Sequence, residues 1–423
     1  MDAETEVAVV GGGATGTGVV RDLTLRGIDA TLIERGSLTS GTTGRMHGLL
    51  HSGARYAVSD PASARECSAE SRVLREIAGH CIEPVGGLFV ELPADSEDYF
   101  ERKLAGCRDC EIPAAVLSAG EAVREAEPAI ARDARRAIQV PDAVIDPFRL
   151  CAANAVDAAA RGAHVRTHAE VTDVLVEDDR VRGIEVHHGS GSEERRGRDA
   201  ERIEAEYVVN ATGAWAGQFG ALAGVEIGMA PSKGAMAVLD GRAVDTVLNR
   251  CRPRSAGDIA VPHESTCVLG TTDVPIDDPD VFDKADREID RLVEELAALV
   301  PAFADARVVD AYWGVRPLYE PSPSDGEDST GRTRDFALLD HEARDGLAGL
   351  ASIVGGKLTT HRLMAEALVD HVCERLGYAT ACRTADVALP GGDDPAVLRE
   401  RMAEFGIDVP VGRNVRRAGG SGR

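Results

Sequence analysis

Apolar residues along the 423-residue chain cluster in two kinds of pattern. Short continuous runs read as strands: Val7-Ala8-Val9-Val10, Ala30-Thr31-Leu32-Ile33 and Tyr207-Val208-Val209. A helix-compatible stretch to Arg26 separates the first two. Between Pro61 and His80, Ala64, Cys67, Leu74, Ile77 and Ala78 recur at near-helical spacing. A meander follows, with strands over 171–176 and 181–186 around a polar turn at Glu177 to Arg180. A last helix-like run extends from His361 to Leu376. Three segments break the pattern. His188 to Ala200 reads as a mobile hairpin tip and Pro321 to Asp335 as a long flexible loop or lid. The basic, Gly-rich end from Val411 to Arg423 reads as a disordered tail.

The first strand runs straight into Gly11-Gly12-Gly13-Ala14-Thr15-Gly16, and the second ends on Glu34. This is the dinucleotide-binding fingerprint in its strand–turn–helix context. Gly11 permits the tight turn, Gly13 lets backbone approach a pyrophosphate, and Gly16 lets the helix pack close to the sheet. The helix N-terminus offers N–H groups and partial positive charge to the phosphates. Glu34 stands at the spacing of a carboxylate that takes ribose hydroxyls.

The fingerprint alone does not separate FAD from NAD; three further pieces favour FAD. Arg35 to Gly44 is a loop of small hydroxylated residues, including Thr42 and Thr43, that can wrap a diphosphate and ribityl chain. Such residues are also ordinary in turns. The strand-turn ending Asn210-Ala211-Thr212-Gly213 resembles an element of flavoproteins with two dinucleotide-binding folds. Gly355-Gly356-Lys357-Leu358-Thr359-Thr360 opens the helix-like run at His361, whose N-terminus is placed to face a flavin ring or an anion.

Several blocks together resemble one family. They are Gly11 to Arg26, Gly44-Arg45-Met46-His47-Gly48-Leu49-Leu50-His51-Ser52-Gly53-Ala54-Arg55-Tyr56, Val140-Pro141-Asp142 with Asp146 to Leu150, Tyr312-Trp313-Gly314-Val315-Arg316-Pro317-Leu318, and Gly355 to Arg362. The family is the FAD-dependent glycerol-3-phosphate dehydrogenases, within the D-amino-acid-oxidase-like flavoproteins, and the resemblance is strongest to the catalytic subunits of the anaerobic enzymes. It implies an α/β fold: a two-dinucleotide-binding, Rossmann-like FAD domain with an inserted α+β substrate domain. The expected FAD domain is discontinuous, over 1–80, 146–215 and 310–378. Residues 81–145 and 216–309 form the substrate domain, and 379–423 a helical remnant followed by the tail. The cofactor cradle so implied comprises Gly11, Gly13, Ala14, Thr15, Gly16, Glu34, Arg35, Thr42, Thr43, His47, Val171, Ala211, Gly213, Gly314, Gly356, Leu358 and Thr359.

The implied reaction oxidises sn-glycerol 3-phosphate to dihydroxyacetone phosphate, with hydride moving from C2 to flavin N5. A dianionic phosphate calls for planar, bidentate donors. Arg55, Arg316 and Arg334 match family positions at the substrate pocket, with Arg316 the strongest candidate in its aromatic setting. Lys357 is placed to stabilise an alkoxide or the reduced flavin's charge. Tyr56, Thr271 and Thr272 are candidate hydrogen-bond donors to substrate. The respiratory relatives carry Lys-Gly-Ser-His where this chain reads Lys233-Gly234-Ala235-Met236, so the histidine that would take the hydroxyl proton is missing. His47, His51 and Lys357 remain as candidate bases.

Electron exit is the second departure. The family's anaerobic catalytic subunits continue into a cysteine-rich, iron–sulfur-type region, and electrons pass through partner subunits to membrane quinone. Here Cys373 and Cys382 stand alone near the end, so either the chain is truncated or electrons leave by another route. Two rivals remain: an amine or 2-hydroxy-acid oxidase of the same fold, and an inactive flavin-holding subunit.

Composition narrows the rest. A chain this long suggests two domains. No run of about 20 apolar residues offers a membrane span, and a first strand so close to Met1 leaves no room for a signal peptide. Nine scattered cysteines, with Cys107 and Cys110 the one close pair, fit reduced cytoplasmic thiols better than a structural metal site. The expected location is therefore cytoplasmic, peripheral to the inner face of the membrane through partner subunits.

Net charge is −24, from 71 acidic against 47 basic residues, which disfavours nucleic acid as a partner. Only Lys103, Lys233, Lys284 and Lys357 are lysines. Dense acidity with so little lysine reads as adaptation to high salt. KCl in the molar range should therefore raise the thermal midpoint, because the Debye length shrinks from about 10 Å at 0.1 M to about 3 Å at 1 M and screens the repulsion. A midpoint that stays flat or falls in a salt series counts against the adaptation.

Overall fold

The computed structural model describes residues 3–188, 200–253, 257–321, 335–407 and 409. A parallel core of five strands runs in the order His164–Arg166, Ala30–Ile33, Ala3–Val10, Ala200–Asn210 and Leu350–Gly355. The strand Phe336–Asp340 adds antiparallel to the last of these. The meander strands Ala169–Glu177 and Arg180–His188 pair antiparallel and join the N-terminal half of Ala200–Asn210. The first strand's continuous apolar run serves both faces. Val7 and Val9 point into a core shared with helices, while Ala8 and Val10 point into a second core under the meander.

Helices Ala14–Leu25, Pro147–Ala160 and His361–Leu376 cover the first face. Pro147 opens its helix at the first position, and Asp146 caps it by accepting from the N–H groups of Phe148 and Arg149. Arg362 on the last helix is buried against Glu70 of Pro61–Ile77, 2.5 Å from its carboxylate, and ties the two helices together.

The second sheet is antiparallel but for one parallel pair. Its strands Gly87–Glu91, Ala115–Leu117, Arg136–Val140, Ser232–Asp240, Val247–Arg250, Ile259–Pro262, Thr266–Gly270 and Val274–Pro275 all come from the two inserted segments. The amphipathic helix Asp286–Ala297 buries Ile289, Leu292 and Leu296 against it. One strand crosses the expected boundary. Val308–Arg316 pairs along Ser232–Asp240, so residues 310–316 belong to this sheet and not to the first. The register sets Gly314 opposite Gly234, where the chain passes beneath the Arg45 carbonyl too closely for a side chain.

A three-stranded sheet of Leu49–Leu50, Ala143–Ile145 and Ile82–Glu83 stands between the two. The segment after residue 379 is not an appendage: the Pro395–Glu404 helix buries Leu398 and Met402 in the first core, and Arg21 donates to the carbonyls of Thr384 and Val387. The expected hairpin tip at 189–199, the loop at 322–334 and the tail from 410 lie outside the described residues.

Candidate active site

A cleft of about 1100 Å³ opens at the carboxyl ends of the parallel strands and runs between the two sheets. At one end the glycine turn sets its wall. Gly11 has a φ of +113°, and a Cβ there would stand 2.5 Å from the Ala211 carbonyl oxygen. The Ala14–Leu25 helix then starts at Gly13 with no acidic residue in its first turn. Its N-terminus faces the cleft as a site for anionic oxygen. Thr43 Oγ1 accepts from the Ala14 N–H at 3.1 Å and brings the hydroxylated loop against the turn.

The Glu34 carboxylate organises the same end. One oxygen accepts from the Gly12 N–H at 2.7 Å, and the other accepts from the Gly36 N–H at 2.8 Å and Ser40 Oγ at 3.1 Å. One acceptor site remains, on the oxygen that takes the Gly12 N–H, and is open to a ribose hydroxyl. Across the cleft stand Val171 and Thr172 of the meander, with Gly213 and Trp215. Thr172 Oγ1 and Trp215 Nε1 are buried without a hydrogen-bond partner among the described residues. Buried polar atoms are normally satisfied, so these two fit a polar ligand laid along the cleft.

Arg35 lines the cleft with its guanidinium already engaged. Its guanidinium lies over the Trp215 ring at 4.6 Å and pairs with Asp280 at 2.8 Å, joining the two halves of the molecule across the cleft.

The other end of the cleft carries reactive groups. His47, His51, Arg45, Tyr312, Trp313, Arg316, Lys357, Leu358 and Thr359 line it. His47 Nδ1 accepts from the Leu49 N–H at 3.1 Å, which leaves the proton of the neutral ring on Nε2. Lys357 is positioned by a turn whose two preceding glycines have φ of +79° and +74°. Its Nζ donates to Ser63 Oγ at 2.8 Å and lies 4.9 Å from the centre of the Tyr56 ring. His361, at the start of the helix His361–Leu376, is buried; burial pulls it down to about 4, so the ring facing the cleft is neutral.

The expected substrate arginines separate. Arg316 lines the cleft, but its terminal nitrogens are engaged: one donates to Ser232 Oγ and the Lys233 carbonyl, the other to Thr271 Oγ1 and the Thr272 carbonyl. Asp273 stands 3.3 Å away. Arg316 is thus a fixed cation rather than an open fork. Arg55 turns from the cleft lining to Asn249, at 3.1 Å, and Asp258, at 3.7 Å. Tyr56 is buried behind Lys357 and stacks edge-on with His51. Thr272 is a core residue, donating to Glu288 and accepting from the Ala235 N–H. Gly16 and Gly314 shape the cleft from beneath: each is too close to a carbonyl for any Cβ. Arg334 lies outside the described residues.

Sequence reasoning missed Arg45, Thr172 and the two tryptophans as wall residues. The tryptophans carried a signal, since the chain has only two, Trp215 and Trp313, and each follows or sits within a block already singled out. Trp313 Nε1 donates to Glu288, and Lys233 Nζ pairs with the same carboxylate at 2.7 Å. Burial alone would raise Glu288, but the hydrogen bonds from Lys233, Thr272 and Trp313 outweigh it and hold the carboxyl below its usual range.

The family model of the FAD dependent oxidoreductases matches residues 6–371. The chain belongs to this family. It is 58% identical over 416 residues to the A1 subunit of the anaerobic glycerol-3-phosphate dehydrogenase of Haloferax volcanii, covering 98% of this chain and 71% of that one. It is 43% identical over 412 residues to the corresponding subunit of the Escherichia coli anaerobic enzyme, covering 96% and 73%. Among solved structures, the glycerol-3-phosphate dehydrogenase of Bacillus halodurans complexed with FAD superposes with a TM-score of 0.70 at 25% identity, over 96% of this chain and 73% of that one. The cofactor of this FAD-dependent oxidoreductase is FAD.

Glu34→Ala removes the carboxylate that anchors the Gly12 and Gly36 N–H groups at this end of the cleft. FAD binding should weaken by about 1.5–3 kcal/mol, roughly 10- to 150-fold in Kd, while far-UV circular dichroism stays unchanged. Both tryptophans line the cleft, so quenching of their fluorescence during FAD titration of apoprotein measures this directly. An unaltered titration curve would remove Glu34 from the cofactor site.

Proposed function

We propose that the protein oxidises sn-glycerol 3-phosphate to dihydroxyacetone phosphate. The observation that carries this reading is the cationic end of the cleft. Arg45, Arg316 and Lys357 face one space with His47 and His51, beside a dinucleotide cradle, in a chain 58% identical to a protein named for this activity. A carboxylate substrate needs one such charge; three suit a phosphate dianion. FAD, when bound, supplies the two-electron acceptor.

The protein's own groups bind and orient the substrate. Arg316 is held by four neutral acceptors and, at 3.3 Å, by the half-exposed Asp273 carboxylate, so its guanidinium meets the phosphate at little reorganisation cost. Lys357 stands where a mobile ammonium can stabilise charge developing on the C2 oxygen. Tyr56 and His51 back it through ring contacts.

The relatives' names as subunits of an anaerobic enzyme support partner subunits for this chain, and the proposal is that electrons pass through them to membrane quinone. No helix among the described residues is long and apolar enough to cross a membrane; in this proposal attachment to the inner membrane face is through those partners. The acidity of the chain supports a working environment of high salt.

Anaerobic bleaching of the bound flavin tests the substrate. Glycerol 3-phosphate should bleach it, and sarcosine, D-alanine and 2-hydroxyglutarate should not; bleaching by one of these instead overturns the proposal. Arg316→Ala should cost about 2–4 kcal/mol, roughly 30- to 1000-fold in kcat/KM, with flavin content unchanged. Arg316→Lys should recover little, because one ammonium cannot reach acceptors on Ser232 and Thr271 together. Glycerol, which lacks the phosphate, is the control. An equal loss with glycerol shows that Arg316 serves the C2 oxygen or the cofactor.

A further inference from the structure

We propose that Ser63 and Asp335 form a proton exit from the reactive end of the cleft, carrying away the proton that the substrate hydroxyl loses to Lys357. The proposal rests on the substrate reading above and supplies the proton path that the missing histidine leaves open.

The geometry is a directed chain. Lys357 Nζ donates to Ser63 Oγ at 2.8 Å, and Ser63 Oγ donates in turn to the Asp335 carboxylate in a very short contact. Lys357 also stands 3.5 Å from the same carboxylate oxygen. The two ends see different surroundings: the Lys357 side chain is 8% exposed and lines the cleft, whereas the Asp335 side chain is 45% exposed. Ser63 between them is wholly buried. The three groups thus run from the cleft lining to a half-exposed carboxylate.

Local structure holds the middle of the chain in place. Ser63 lies in the first turn of Pro61–Ile77, where Asp60 caps the helix by accepting from the Ser63 N–H at 3.1 Å. A serine in that turn has its backbone satisfied by the cap, so its hydroxyl is available to join two side chains. Other ionisable groups face Lys357 from each element packed on it. The helix presents Glu66 and Cys67, and the His51–Tyr56 loop presents the Tyr56 ring, with His51 behind it. Burial and the Asp335 charge raise Glu66, opposed by Lys357, and burial pushes Cys67 up to about 12. Glu66 meets Lys357 through charge alone and Cys67 stays a neutral thiol, whereas Ser63 takes a hydrogen bond from Lys357 and so offers the proton a path.

The step balances as follows. C2 gives up its hydrogen with the bonding pair to the two-electron acceptor, and the C2 oxygen forms its second bond to carbon. The hydroxyl proton passes to Lys357 as Lys357 passes one of its own to Ser63. Ser63 hands its hydroxyl proton to Asp335, which releases it to water. Lys357 ends with the charge it began with. Ser63 and Asp335 do not touch the substrate; they are relay and positioning residues behind it.

The test compares Ser63→Ala, Ser63→Thr and Asp335→Asn in FAD-loaded protein by anaerobic stopped-flow bleaching. With saturating glycerol 3-phosphate, Ser63→Ala should slow bleaching about 10- to 100-fold, with half-saturation changed by less than about threefold. The solvent deuterium isotope effect should rise, and the rate should become dependent on buffer concentration as free base replaces the relay. Ser63→Thr keeps a hydroxyl and should restore most of the rate and abolish the buffer dependence. Asp335→Asn, at the half-exposed end, should show the same signature and serves if Ser63→Ala fails to fold. Wild-type rates in both variants overturn the relay. So does a slow Ser63→Ala with no buffer dependence and an unchanged isotope effect, since the hydroxyl then only holds Lys357 in place. If glycerol 3-phosphate fails to bleach wild-type protein, the substrate reading has failed. The same comparison then runs with whichever amine or 2-hydroxy acid does bleach it, since those oxidations also release a proton.

Discussion

The architecture depends on one close approach of backbone to backbone. A Cβ at residue 16 would lie 1.8 Å from the Gly11 carbonyl oxygen, and a Cβ at residue 11 would lie 2.5 Å from that of Ala211. Two strands and a helix therefore meet at a point that only glycine can occupy. This convergence brings the N-terminus of Ala14–Leu25 over the sheet edge and opens the cleft at the carboxyl ends of the strands. Hydrogen bonds reinforce it: Gly11 donates to the Ile33 carbonyl, and Ala211 donates to that of Val10. The cofactor site is the space left when these backbones pack, so it exists only as far as the glycines persist.

Charge is distributed unevenly around that space. A protein of net charge −24 repels anions at long range, yet its cofactor and proposed substrate both carry phosphate. Positive potential has to be local, and the lysines show how. Lys103 is buried with its ammonium on the carbonyls of Ala54 and Arg55, beneath the loop that carries Tyr56. Lys233 fixes Glu288 and, through it, Trp313 in the cleft wall. Lys284 and Lys357 line the cleft itself. In a chain whose cations are mostly arginines, every lysine supports or lines this one region. A compact ammonium with three donors fits between two carbonyls or beside one hydroxyl, where a planar guanidinium does not.

The first sheet and its glycine turn were legible in the sequence because their determinants are local. Glycine spacing, the strand before it and Glu34 after it all act within one strand–turn–helix unit, and the meander and the helix His361–Leu376 follow from periodicity alone. The substrate half was less legible because motif adjacency says nothing of side-chain direction. Arg55 and Thr272 sit in the right blocks, but the second sheet offers Asn249 and Asp258 to one, and the helix packed on it offers Glu288 to the other. The strand Val308–Arg316 was misplaced for a related reason. Its aromatic block faces the cofactor cleft, while its hydrogen bonds belong to the neighbouring sheet. Thr172 has no motif at all; only burial without a partner marks it.

The reactive end gains its character from where the two sheets meet rather than from either alone. The first contributes Lys357 from a turn after its last parallel strand, and the helix Pro61–Ile77 gives Ser63 to that amine. The second contributes Arg316 from the end of Val308–Arg316, already engaged by neutral oxygens and by the Asp273 carboxylate. The two cations therefore have opposite freedoms. Arg316 is pinned by fixed acceptors and is suited to hold a permanent charge on the substrate. Lys357 meets a hydroxyl that can pass a proton on, so its bound protons can exchange while its charge stays the same. Binding asks for the first property and oxidation of an alcohol for the second. Placing them on different sheets lets each be set by its own packing.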